Sequence, residues 1–262
     1  MTNIPLAFVT FQPDKKFYSD LDRFLEHDQK VYIFCNCYGS YNTIKNRYRQ
    51  NSTNIKYHYE GYNAGLSMAY NYLLDLIDGD GYTYFYLFDQ DTHILDYFFT
   101  IKDHVPNMID LKDVVLAQLS SENKNNKDPI KLTNAMFVIN SGSLINVNLI
   151  KSLGGYPENY FVDGVDYYIS LMAKRMNYRV GYVKGYFGLD HTTGQGDVSL
   201  KVFNKIFLVR YYGWFRIIDV SKSHLKLILI SLRHGEFRYT LKLSQFLTIF
   251  YIKNILGFFL RK

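Results

Sequence analysis

The stretch YTYFYLFDQDTHI, residues 82–94, decides the fold. Its first seven residues are aromatic, β-branched or aliphatic without interruption, and the run ends abruptly in Asp89, Gln90 and Asp91. A continuous run of this kind reads as a strand buried on both faces, as in parallel sheets covered by helices. At the C-terminal end of such a strand, side chains border the crevice where ligands bind in open α/β sheets. Two carboxylates there repel each other unless a cation sits between them. Such oxygen donors suit Mg2+ or Mn2+, which take one or two carboxylates and draw further ligands from a substrate diphosphate. A nucleotide substrate is the expectation. The other reading is a turn whose acids serve only as caps.

Working outward, further strands are expected at 4–11, 31–35, 55–59 and 114–119, with helical spacing of apolar residues over 14–27 and 65–77. Strands alternating with helices predict an α/β domain. The segment 120–129, SSENKNNKDP, has almost nothing to bury and reads as a surface loop that could act as a lid. Beyond it a strand is expected at 135–140, a helix at about 165–176 and a strand at 179–183, with no internal repeat.

With 262 residues, 48% hydrophobic and 21% charged, the chain can bury a sizeable core, which excludes disorder as its general state. Its formal charge of +6 is unevenly spread: from Lys201 onward twelve basic residues face only Asp219 and Glu236, a local +10, which leaves −4 for residues 1–200. Cys35 and Cys37 lie too close together to staple a fold and are too few for a metal quartet, which suggests a reducing compartment. The start, MTNIPLAFVTF, lacks the basic region and cleavage site of a secretory signal and reads as a first strand. The most apolar segment, 243–252, is bounded by Lys242 and Lys253 and is too short to span a bilayer.

After Gly196 apolar residues recur every three or four positions among Lys and Arg, which predicts a basic amphipathic helical tail over 197–262. Trp214, Phe215, Phe246, Phe250, Phe258 and Phe259 fall on its apolar side. Such a tail fits the headgroup layer of an anionic membrane, and equally a helical cap or a homo-oligomer interface. No nucleic-acid-binding module accompanies the basic charge, so no nucleic-acid partner is expected.

Two polar segments stand apart. In YFVDGVDYYISLMAKRM, residues 160–176, Asp163 and Asp166 sit where the helical pattern begins, as caps or as functional acids. In GLDHTTG, residues 188–194, His191 reads as a metal ligand or a surface histidine.

Six segments in order carry a family pattern: FVTFQPD (8–14), NAGLSMAYN (63–71), FDQDT (88–92), VINSGSLI (138–145), GGYPENYFVDGVD (154–166) and LDHTTG (189–194). Together they resemble the inverting glycosyltransferases of family two, most closely the bacterial rhamnosyltransferase-like branch. The resemblance implies a GT-A fold, a Rossmann-like mixed sheet flanked by helices, over residues 1–196, with a nucleotide half at about 1–119 and an acceptor half at about 130–196. It implies that Thr10, Phe11 and Pro13 line the nucleoside pocket and that Asn36, Asn63, Gly65, Asn71, Asp89 and Gln90 support the nucleotide-sugar. Ser141, Gly142 and Asp163 would lie on the acceptor or sugar side, Asp91 and His191 would hold Mg2+ or Mn2+, and Asp166 would be the general base. This chain has Cys35 and Asn36 where the family carries an Asp-Asn pair, and Tyr168 and Met172 where it carries an acid and an arginine.

The implied activity moves a sugar, rhamnose from dTDP-rhamnose, onto a lipid-linked or growing oligosaccharide acceptor in cell-envelope polysaccharide synthesis. The expected location, from the reducing-compartment cysteines and the basic tail, is cytoplasmic, peripheral at the inner face of the cell membrane. Two rivals are carried: a haloacid-dehalogenase-like phosphatase with Asp89 as nucleophile, because FDQDTHILD fits its DxDxT string, and a catalytically degenerate glycan-binding partner.

Overall fold

A computed structural model describes residues 3–49, 53–120, 130–191, 198–202, 205–209 and 211–260; for residues 190, 191, 198–202, 205–208 and 260 it describes the backbone only. In chain order the elements are β1 (Leu6–Thr10), α1 (Lys15–Glu26), β2 (Val31–Cys35), α2 (Tyr38–Arg47), β3 (Ile55–His58), α3 (Gly65–Gly79), β4 (Tyr84–Asp89), β5 (Thr92–Ile94), α4 (Asp96–Ile101) and α5 (Val105–Met108). Then follow β6 (Val114–Leu119), β7 (Lys131–Asn134), β8 (Ser143–Asn146), α6 (Val147–Ser152), α7 (Val165–Arg175), β9 (Arg179–Lys184), β10 (Leu189–His191), β11 (Val198–Val202), β12 (Lys205–Val209), α8 (Trp214–Arg233) and α9 (Phe237–Leu260).

By contacts the chain divides into two compact units, Met1–Phe161 with Val165–His191, and Val162–Gly164 with Thr192–Lys262. The first contains a mixed sheet in the order β3-β2-β1-β4-β8-β6-β9-β7. Strands β3, β2, β1 and β4 are parallel, β8 runs antiparallel to both β4 and β6, and β9 is parallel to β6. Successive strands leave β1 first toward β2 and then toward β4, so the order reverses beside β1 and opens a crevice at the C-terminal strand ends. The register pairs Val9 with Asp89 and Thr10 with Cys35, which brings the ends of β1, β2 and β4 to one level.

Strands β1 and β2 are buried along their whole length, as their unbroken apolar sequences require. Helix α1 is started by Asp14, whose carboxylate accepts the Phe17 N–H at 3.0 Å, and it lays Phe17, Leu21 and Phe24 on the sheet at helical spacing. Each of these fully buried side chains contributes roughly 1.5–3 kcal/mol. Phe8 lies against both helix phenylalanines and Phe88, with ring centroids 5.5 to 5.8 Å apart.

Two expectations are corrected. The strand expected at 135–140 is absent, and pairing is carried by β7 and β8 on either side. The backbone between them is satisfied by side chains instead: Ser170 Oγ accepts Val138 N, Gln118 Oε1 accepts Ile139 N, and Asp166 Oδ1 accepts Asn140 N. The tail is not helical throughout, because β11 and β12 form an antiparallel hairpin ahead of α8. VSLKV alternates with the two-residue period of a strand and KIFLV is a short β-rich apolar run, signals which the helical reading of the whole tail passed over. The loop expected at 120–129 lies outside the described residues from 121 onward.

Helix α3 fixes the segment that leads into α7. Asn71 donates from Nδ2 to Tyr156 O (2.9 Å) and accepts from Tyr156 N (2.7 Å), while Leu66 N donates to Phe161 O. Gly65 has φ +76, and a Cβ there would come within 2.5 Å of Phe161 O, so both the turn and the close approach demand glycine. Asn71→Ala leaves Tyr156 N and O without their partners, and a loss of about 2 kcal/mol is expected, read as a lower urea midpoint at unchanged m.

Candidate functional site

Strand β4 delivers Asp89 to the strand-end crevice, and Asp91 follows at the end of the two-residue turn into β5. Two consecutive residues reach the two candidate catalytic acids. The Asp89 N–H donates to Ser141 Oγ at 2.9 Å, and the Asn140 N–H donates to Asp166 Oδ1 at 3.1 Å. Gly142, at φ +74, then donates to Leu87 O (2.8 Å) and accepts from Leu119 N (2.9 Å), which ties the same segment between β4 and β6. Thr92 Oγ1 lies 3.2 Å from Ser141 Oγ. Asp89, Ser141, Thr92, Asn140 and Asp166 are thus joined in one network on the first unit.

The buried phenol of Tyr70 reports the same convergence. Burial pushes its pKa well up, and the charges of Asp89 and Asp166 push it further. The Tyr156 phenol is raised in the same way by burial and Asp166. Asp89 itself is pushed up to about 6, first by desolvation among dense surroundings and then by Asp91, against the hydrogen bond from Ser141. Its side chain is nevertheless exposed to solvent. Crowding together with exposure is what the floor of an open cleft imposes, so solvent screens part of this shift.

At the end of β1 the amide of Gln90 clasps the main chain of Phe11. Its Oε1 accepts Phe11 N at 2.6 Å and its Nε2 donates to Phe11 O at 3.0 Å. This leaves the Phe11 ring half exposed beside a left-handed Gln12 (φ 54) and a partly exposed Pro13. Thr10 is fully buried, with its hydroxyl 3.4 Å from Ser40 Oγ, so it backs this corner rather than opening onto it. Asn36 is also buried and engaged: Oδ1 accepts Ala64 N (2.9 Å), Nδ2 donates to Gly65 O (3.1 Å) and its own N–H donates to Thr10 O (2.7 Å). Asn63 Oδ1 accepts Gly65 N at 3.1 Å. Gln90, Asn36 and Asn71 therefore spend their amides on backbone and act by placing loops. Burial drives the Cys35 thiol up to about 11. Burial also pushes Cys37 up, but hydrogen bonds, first from Ser40, outweigh it and leave that thiol below its ordinary value at the start of α2.

His191 falls in β10, which pairs antiparallel with β5 and sets His191 opposite Thr92, the residue after Asp91. The side chain of His191 lies outside the described residues. Asp163 belongs to the second unit, where Arg216 grips both its oxygens, Nη2 to Oδ1 at 2.9 Å and Nε to Oδ2 at 2.7 Å. Burial raises the Asp163 carboxyl to about 6, Arg216 opposes this and Asp219 adds to it. Among the described residues no group of three His, Cys, Asp or Glu converges to hold a metal alone. The exposed carboxylate oxygens of Asp89 and Asp91 fit Mg2+ or Mn2+, which bind proteins through one or two carboxylates and leave the remaining positions to water and phosphate. Sequence reasoning missed Asn140 and Tyr70. Asn140 acts through its main chain, which no residue type announces, and Tyr70 is one of 25 tyrosines in the chain.

No protein-family model matches the chain, and neither does any curated protein. Solved structures do match. S. aureus TarS 1–349 in complex with UDP-GlcNAc is 14% identical with a TM-score of 0.58, over 96% of this chain and 72% of that one. S. aureus TarS 1–349 in a second crystal structure is 16% identical with a TM-score of 0.51, over 72% of this chain, which spans 60% of that chain's length. GalNAc-T7 with UDP, GalNAc and Mn2+ is 7% identical with a TM-score of 0.53, over 69% of this chain and 42% of that one. At such identity the likeness is one of fold, and the eight-stranded mixed sheet flanked by helices is of GT-A type.

Two outcomes follow. By carboxyl-carbon NMR Asp89 should titrate above the ordinary 3.8 and at or below about 6, and Asp91→Asn should lower that midpoint by removing a like charge. Because the folded value lies above the ordinary 3.8, this group favours the folded state below about pH 4, and that contribution is lost as pH rises through about 6. For Gln90→Ala, amide exchange at Phe11 should quicken by about fivefold, the equivalent of one net hydrogen bond of about 1 kcal/mol.

Proposed function

We propose that this GT-A chain is an inverting glycosyltransferase, transferring a sugar from a nucleoside diphosphate donor to a hydroxyl of a lipid-linked or growing glycan. The observation that carries the reading is the linkage of Asp89 and Asp166 through the adjacent Ser141 and Asn140, with Asp91 beside Asp89. Asp166 takes the proton of the acceptor hydroxyl as its oxygen attacks the anomeric carbon. The new C–O bond forms as the bond to the diphosphate oxygen breaks, and a single displacement inverts the configuration. The Asn140 N–H, bonded to Oδ1, holds the Asp166 carboxylate in place for that transfer.

Asp91, with Asp89 and His191 close by in the chain pairing, would hold a divalent ion, which supplies neutralisation of the negative charge on the leaving diphosphate. Phe11, held by Gln90, offers its exposed ring to the nucleoside. TarS and GalNAc-T7 were solved with UDP-GlcNAc and with UDP, GalNAc and Mn2+, and both belong to the fold seen here. For this chain the resemblance to the rhamnosyltransferase-like branch suggests dTDP-rhamnose, and UDP-sugars are the alternatives in any donor screen, because pocket shape rather than these motifs discriminates sugars.

A thermal-shift screen of nucleotide-sugars, with and without Mn2+, should raise the midpoint for the true donor. Slow release of free nucleoside diphosphate should fall by 10²- to 10⁴-fold in Asp166→Asn and be lost in Asp91→Ala. Hydrolysis of an aryl phosphate with Mg2+, abolished by Asp89→Asn, would replace the transferase with the phosphatase. Donor or glycan binding without any turnover would leave a binding partner.

A further inference from the structure

The second unit carries an apolar face that its own packing leaves open. At 3.6 residues per turn, Trp214, Leu225, Leu229 and Leu232 of α8 lie within about 60° of one another, and all four are exposed. On α9 the same spacing aligns Phe237, Leu241, Ile252, Ile255 and Phe259, again all exposed. The opposite sides are the ones that pack. Val220, Ser223 and Leu227 are buried on α8, and Tyr239, Leu243 and Asn254 on α9. The helices are pinned to each other by Ser231–Thr240 (2.8 Å) and Ser221–Tyr251 (2.5 Å). Each helix is therefore amphipathic twice over, with one face closed by its partner and an opposite apolar face left open. Exposure of 73% at Trp214 and 76% at Phe259 is far above what packing within the unit would leave.

The charges on these helices select the occupant. Lys222, Lys226 and Arg233 flank the open face of α8, and Arg238, Lys242 and Lys253 lie along one flank of that of α9. Of the two acids after residue 200, Asp219 is turned inward, accepting Val162 N (3.2 Å) and Asp163 N (3.0 Å). A second copy would bring the same local +10 against itself, which disfavours self-association through this face. A surface with apolar depth and negative charge satisfies both features. Among the described residues no helix is long and apolar enough to cross a membrane. We infer that the exposed faces of α8 and α9 dock the protein onto an anionic lipid bilayer, with apolar side chains at the acyl boundary and the lysines and arginines among the headgroups. This inference is independent of the transferase reading.

The test uses the full chain and its single tryptophan, Trp214. Vesicles of phosphatidylglycerol mixed with phosphatidylcholine should shift the Trp214 emission to the blue and carry the protein on sedimentation, and brominated acyl chains should quench it. Pure phosphatidylcholine should bind far more weakly, and added salt should release the protein. Lys222→Gln with Lys242→Gln should weaken binding roughly 25-fold, about fivefold per charge removed. Leu229→Asn with Ile252→Asn should remove the quenching while the thermal midpoint stays unchanged, because both sites are exposed. No sedimentation with the anionic vesicles at low salt would overturn the inference. So would a blue shift that grows with protein concentration in the absence of lipid, which would assign the face to a second copy.

Discussion

Asp166 and Asp89 are far apart in the chain, and what unites them is a segment that does not become a strand. Between β7 and β8 the main chain gives its N–H groups to side chains, and two neighbouring residues, Asn140 and Ser141, reach the two acids. Had 135–140 paired in the sheet, those donors would have been consumed by a neighbouring strand and the Asp166 carboxylate would lack this anchor. Gly142, in the left-handed region, ends the irregular stretch and returns the chain to β8. The antiparallel position of β8 between β4 and β6 follows from this detour, as does the mixed character of the sheet.

A second group of contacts keeps the surrounding loops in register with that network. Gln90 ties the loop after β1 to the loop after β4, Asn36 ties the end of β2 to the start of α3, and Asn71 ties α3 to the segment entering α7. All three are side-chain amides bonded to main chain in both directions, the geometry that a donor and an acceptor on one planar group supply. They hold the loops at the strand ends in fixed positions on the sheet, which is the arrangement a ligand-binding crevice requires. Desolvation first and the neighbouring Asp91 second make the Asp89 carboxylate costly to ionise at its floor, and the raised Asp89 pKa reflects both.

The second unit obeys a different rule. Its helices bury Val220, Leu227 and Leu243 together with Ser223, Ser231 and Asn254, and they leave a second set of leucine, isoleucine and aromatic side chains outside. A helix packed on one side normally carries polar residues on the other. A second apolar face of this kind is expected where a further surface covers it.

Much of the first unit is legible in sequence. The apolar runs at 31–35 and 114–119 coincide with β2 and β6, and FDQD marks the end of β4, because strands buried on both faces must be apolar throughout. The separation of an acidic body from a basic tail is likewise written in composition. What sequence left open is decided by partners distant in the chain. The hairpin of β11 and β12 was hidden by the helical texture around it, and the N–H groups of Val138, Ile139 and Asn140 are satisfied by Ser170, Gln118 and Asp166, which only folding brings near. Whether an amide such as Asn36, Asn71 or Gln90 faces a ligand or a loop is likewise invisible to spacing. Periodicity reports which face of an element is buried, whereas the partner of a polar group depends on the three-dimensional path of segments tens of residues away.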